Sequence, residues 1–182
     1  MKTRYLLLAA AAALLASCKE QAGSTQQSAA PQAAHTDASP LLEKILSTPP
    51  TGEPQAIHLA RSQVKPGDVI TLGGLIMGTE NPFVKGRAAF VLGDPAVLTP
   101  CNEKPGDSCD TPWDACCDTP EEKKRATASI QIVGDDGRVL KQDIEGFQGI
   151  AKLARLTVTG TVAEGSSAES LVINASAIRV GE

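Results

Sequence analysis

The sequence predicts a mainly β protein: a small five-stranded barrel with one short helix and a long cysteine-containing insertion between the second and third strands. Three observations point there. From residue 68 onward, segments rich in β-branched and aliphatic residues recur, some alternating apolar with polar side chains as half-buried strands do. Glycines interrupt the first and fourth of these segments, where a small barrel must bend sharply. Aromatic residues make up only 3% of the chain, so its interior must be filled by Val, Ile, Leu and Ala, which suits a narrow closed barrel.

The chain divides into three parts. In residues 1–17, Lys2 and Arg4 precede an apolar run from Leu6 to Leu15, the pattern of a secretory signal rather than a membrane span. Leu15-Ala16-Ser17-Cys18 resembles the lipobox of bacterial lipoproteins. The resemblance implies diacylation of Cys18 and cleavage before it, and Lys19 stands where an aspartate would retain such a protein at the inner membrane. The expectation is therefore a periplasm-facing outer-membrane lipoprotein, held by acyl chains that each contribute about 0.8 kcal/mol per buried CH₂. Residues 18–56 are expected to be the lipidated cysteine and a flexible tether. Positions 19–40 hold no aliphatic residue larger than Ala, too little to offset ordering entropy. Pro40 to Leu46 is compatible with a short amphipathic turn, which Pro49, Pro50, Gly52 and Pro54 end. Residues 57–182 form the expected domain.

Within it, Asp68–Thr79 is the first strand, bent at Gly73-Gly74, Arg87–Gly93 the second and Ala126–Val133 the third. Gly134-Asp135-Asp136-Gly137 signals a turn, which makes Arg138–Ile144 a hairpin partner. Phe147–Ala154 is the best candidate for the short helix. Arg155–Val162 alternates most clearly, and Ser170–Val180 changes apolar parity after Ala175, which predicts a bulge near Ser176. Three strands, a helix and two strands, with Phe90-x-Leu-x-Asp94 and Leu156-x-Val-x-Gly-x-Val162, resemble an OB-fold over residues 65–181.

Asp94–Pro120 is the chemically unusual stretch. It holds Cys101, Cys109, Cys116 and Cys117, together with the lone tryptophan, Trp113. In an oxidising compartment an even cysteine count in a loop with few aliphatic residues reads as two disulfides. Cys101 would then pair with one of the adjacent cysteines and Cys109 with the other, in an order the spacing leaves open. The alternative is a site for a soft metal ion, since thiolates favour Zn²⁺ or Cu(I). Six carboxylates against Lys104 give Asp94–Asp118 a local charge of −5. Against the metal, no Cys-x₂-Cys knuckle is present, and adjacent cysteines fit one tetrahedral zinc poorly. Trp113 and Asp114 are candidate contact residues on this loop, and the tryptophan would equally serve as a cover for the cysteines. Thr111-Pro112-Trp113-Asp114-Ala115-Cys116-Cys117 is also similar to a segment of uncharacterised secreted bacterial proteins, a resemblance that implies shared architecture and brings no activity.

Composition narrows the function. The full chain carries −4, and loss of Lys2 and Arg4 leaves −6 for residues 18–182. An acidic domain with few aromatics does not suit nucleic acid, which calls for a basic groove and stacking platforms. His35 lies in the tether and His58 at the domain edge, neither beside a nucleophile motif. No cofactor fingerprint is present. The expectation is a non-enzymatic binding module with no cofactor, a protein or envelope-component partner, and the membrane as second partner through Cys18.

Overall fold

The computed structural model describes residues 38–106, 108–167 and 169–181. Nine elements follow in chain order: α1 (Pro40–Ser47), β1 (Gln55–Ala56), α2 (Ile57–Ala60), β2 (Val69–Leu75), β3 (Ala89–Gly93), α3 (Pro120–Ala126), β4 (Thr127–Gln131), β5 (Arg155–Val162) and β6 (Val172–Val180).

Strands β2 to β6 close on themselves in the order β2-β3-β4-β6-β5, with β5 returning to β2. The β4–β6 pair is parallel, and the other barrel pairs are antiparallel. The result is the small OB-like barrel that the strand order predicts. Closure removes the unpaired edges that an open sheet would present. Leu72, Phe90, Leu92, Ile130, Val158 and Ile173 fill the interior, each almost completely buried.

Two glycines are required by the closure. β2 pairs with β5 along its whole length and meets β3 only at Leu75–Gly93. A Cβ on Gly74 would sit 2.6 Å from the Gly93 carbonyl oxygen and 2.8 Å from Leu92 Cγ, so only glycine permits this approach. A Cβ on Gly160 in β5 would fall on the Asn174 carbonyl oxygen. At that point Thr159 pairs with Ala177 and Gly160 with Ala175, which leaves Ser176 as the extra residue of the expected bulge. Its Oγ donates to the Thr159 carbonyl at 3.2 Å. The bulge turns Ala177 and Ile178 inward, both buried.

Several expectations give way. The stretch 18–56 is not tether throughout: its residues 18–37 lie outside the described residues, but α1 belongs to the core. Leu42 and Ile45 are buried among the barrel's apolar side chains. Ser39 caps α1 by accepting from the Leu42 N–H, and Pro40 occupies the first turn, where its missing N–H costs nothing. The proline-rich stretch that follows is strapped to the barrel by a hydroxyl cluster. Thr159 Oγ1 accepts from the Thr51 N–H at 3.0 Å and lies 2.7 Å from Thr71 Oγ1, which donates to the Thr51 carbonyl. β1 then pairs in parallel with β2.

Arg138–Ile144 does not return as a strand. The turn forms, with Gly137 at φ 73°, but Val133–Val139 is a single bridge. Leu140 then takes its bonds from two directions, donating to Ile132 and accepting from Ala88. Phe147–Ala154 is only a 3₁₀ turn over Phe147–Gly149. Gln148 and Leu153 have positive φ, and Leu153 and Ala154 exchange backbone bonds with Ile76 in place of helical ones. Helices form elsewhere: besides α1 and α2, the mixed-charge run Glu121–Arg125 lies in α3. Thr119 and Glu122 form a reciprocal capping box there, with Pro120 in the first turn.

Candidate thiol site

Residues 94–126 link β3 to β4, and their attachment to the barrel starts at Asp94. This carboxylate, only 2% exposed, accepts from the His58 N–H at 3.1 Å and the Ala96 N–H at 2.9 Å. His58 Nδ1 lies 2.7 Å from its Oδ2. Burial pushes the Asp94 carboxyl up, but the bonds from His58 and Ala96 outweigh it and hold it below its ordinary value. His58, read from sequence as an edge residue, thus ties α2 to the end of β3. No serine or cysteine hydrogen-bonds its imidazole among the described residues.

A second, smaller apolar cluster seats the link on the barrel: Leu75 and Met77 meet Leu98, Ala115 and Ala126. Two backbone bonds then lay its halves side by side, from Cys101 N–H to the Asp114 carbonyl at 2.8 Å and from Asn102 N–H to the Pro112 carbonyl at 3.0 Å. Asp118 clamps the return. It accepts from the Thr99 N–H at 2.9 Å and pairs with Lys104 Nζ at 2.8 Å. Although burial raises the Asp118 pKa, Lys104 and the Thr99 N–H bring it below the ordinary carboxylate value.

This folding brings together cysteines that sequence spacing keeps apart. Cys101 Sγ lies 3.3 Å from Cys116 Sγ, Cys109 Sγ lies 3.9 Å from it, and Cys117 Sγ lies 3.8 Å away. The sulfurs of Cys101, Cys109 and Cys116 are all within 4.8 Å of one another. Cys101, Cys109, Cys116 and Cys117 carry no disulfide bond in this structure, and the shortest sulfur approach is that of Cys101 to Cys116. Cys101 is buried, Cys109 half-buried, and Cys116 and Cys117 are exposed. Burial raises the Cys101 pKa. Hydrogen bonds with Cys101 and then Cys117 push Cys116 up to about 12. Thr111, 3.2 Å from Cys109 Sγ, lowers Cys109. The crowding therefore leaves Cys109 the readiest of these three to lose its proton.

Of the two expected contact residues, Trp113 is half-buried and Asp114 buried. Trp113 Nε1 donates to the Glu80 carbonyl at 2.8 Å, its own carbonyl accepts from Gly78, and Lys152 Nζ sits 4.2 Å from the centre of its ring. The indole thus braces the link against the barrel. Asp114 accepts from the Ala115 N–H, with Lys123 Nζ at 3.8 Å. The local acidity is correspondingly smaller in effect than its count, because Asp94, Asp114 and Asp118 are all engaged internally. Glu103 and Asp110 remain on the exposed edge with Asn102, Cys116 and Cys117.

No protein-family model, curated protein or solved structure matches this chain.

Proposed function

We propose that this chain is an envelope lipoprotein, anchored through acylated Cys18 on the periplasmic side of the outer membrane, whose OB-like barrel is a non-enzymatic binding module. Its contact region is the exposed edge of the β3–β4 link: Asn102, Glu103, Asp110, Cys116 and Cys117. The anchor rests on Leu15-Ala16-Ser17-Cys18 alone. The observation carrying the binding role is that this link, braced by Trp113 and clamped by Asp118, keeps thiol and charged groups exposed on a fixed frame. A frame ordered in advance lowers the entropy cost of association.

A second reading keeps the same module but closes the link with two disulfides. The 3.3 Å approach of Cys101 to Cys116 favours it, with Cys109 then left to Cys117. Each closure would contribute roughly 2–3 kcal/mol.

Two measurements test the main reading. Cys18→Ser should move the protein from the membrane to the soluble fraction, and an unchanged fractionation would remove the anchor. Cross-linking in intact cells, repeated with Glu103→Ala/Asp110→Ala, should lose the partners recovered with the unaltered chain. Identical partners would remove the edge as the contact region.

A further inference from the structure

The geometry points to a ligand for this site: we infer that Cys101, Cys109 and Cys116 form a three-thiolate site for a soft d¹⁰ metal ion, Cu(I). The inference rests on the binding-module reading only in taking the same link as the place where a ligand is held.

The distances carry it. A metal–thiolate bond of about 2.3 Å puts sulfurs about 3.8 Å apart in a tetrahedral site and about 4.0 Å apart in a planar three-coordinate one. The Cys109–Cys116 separation of 3.9 Å falls in the range that one shared ion requires, the Cys101–Cys116 separation of 3.3 Å needs only a small opening to reach it, and all three sulfurs stay within 4.8 Å. A disulfide needs one partner at about 2.05 Å. Cys116 instead has three sulfur neighbours at similar range. Of these, Cys101 and Cys109 also lie within 4.8 Å of each other, so that three sulfurs share one group.

Ligand chemistry narrows the ion. The set is all sulfur, with no imidazole, which selects soft ions over calcium or magnesium. Three sulfurs suffice for Cu(I), whereas tetrahedral Zn²⁺ would need a fourth ligand. Cys117 is the nearest further sulfur, but it is adjacent to Cys116 in sequence and outside the group of three that lie mutually within 4.8 Å. On binding, the three thiols lose their protons to solvent, three S–Cu bonds form, and no electron is transferred.

The frame holds this geometry before any ion arrives. Cys101 is fixed by its N–H bond to Asp114 and by burial, and Cys116 follows directly after buried Ala115. Cys109 supplies the half-buried side of the group, and the exposure of Cys116 leaves the ion a way in.

The test uses the full chain, extracted in detergent, reduced, freed of reductant and kept anaerobic. It is titrated with Cu(I) against a chromogenic Cu(I) chelator, and separately with Zn²⁺. One Cu(I) per chain, with sulfur-to-copper charge-transfer absorption, is expected. Cys109→Ser and Cys116→Ser should each weaken retention at least about tenfold, while Cys117→Ser should leave it within about twofold. These three positions are exposed or half-buried, so the outcome does not depend on Cys101→Ser, where the buried site risks misfolding. No saturable Cu(I) binding, retention of Zn²⁺ but not Cu(I), or equal loss in Cys117→Ser would overturn the site. Protein taken from the envelope with two closed disulfides and no metal would overturn it as well, yet leave the anchored binding module intact. Unchanged fractionation of Cys18→Ser would do the reverse.

Discussion

Asp94 shows how one carboxylate joins chemistry to fold. Its folded pKa is depressed below the ordinary 3.8 because His58 and Ala96 donate to the charged form, overcoming the cost of burial. A depressed carboxyl stabilises the fold fully above its unfolded pKa and loses that contribution as pH falls through the folded value. Acid denaturation of the wild type should therefore include a component below about pH 4 that Asp94→Asn lacks. At neutral pH the variant should be less stable by about 1–3 kcal/mol, since an amide cannot match the charged acceptor for three donors. Urea midpoints measured from pH 3 to pH 7 check this, and parallel curves for the two proteins would refute it. None of it is legible from sequence. Asp94 reads as the last residue of a strand pattern and His58 as a domain-edge histidine, because a separation of 36 positions hides their contact. The cysteines are the converse case. Their number and types announce a site, but the Asp114 and Pro112 carbonyls that lay Cys101 beside Cys116 have no signature in the spacing.

At the scale of elements, the five barrel strands are legible in the sequence, Arg138–Ile144 reads as a strand and is not one, and the helices are legible only in part. β5 coincides with the segment of clearest alternation, and the parity change in the last strand points to Ser176, where the bulge lies. α3 carries a readable signal, Thr119-Pro120-Glu121-Glu122, which its charge obscures. Phe147–Ala154 has helical spacing of apolar residues, yet Ile76 competes for its backbone bonds and wins. α1 is legible as a short amphipathic turn but not as part of the core: eight residues with two buried side chains cannot fold alone, so a sequence window sees only a marginal turn. Its stability comes from the barrel, and it returns some of it. Leu42→Ala should cost about 2–5 kcal/mol, as for other completely buried leucines. Glu43→Ala, on the exposed side of the same helix, should cost less than about 0.5 kcal/mol. Denaturant titration of both variants makes the comparison, and equal small effects would show that α1 does not share the core.

Across the whole molecule, two apolar clusters divide the labour. The large one fills the barrel and takes in α1, while the small one, around Met77, Leu98 and Ala115, seats the thiol-bearing link. Chemistry at the sulfurs should therefore stay local. Alkylating the thiols of the native full chain should shift the fluorescence of Trp113 while keeping the far-UV circular dichroism. The thermal midpoint should remain within about 4 °C, which corresponds to roughly 1 kcal/mol at this size. Loss of the β signal would mean that the link and the barrel unfold as one.

The packing of α1 also bears on reach. On the proposed acyl anchor at Cys18, 21 residues (19–39) rather than 38 (19–56) would lie between the lipid and the first packed helix. Fully extended, 21 residues span at most about 75 Å and 38 about 135 Å. The proposed anchor would thus hold the barrel nearer its own membrane, and a partner for the thiol edge would have to come within that shorter reach.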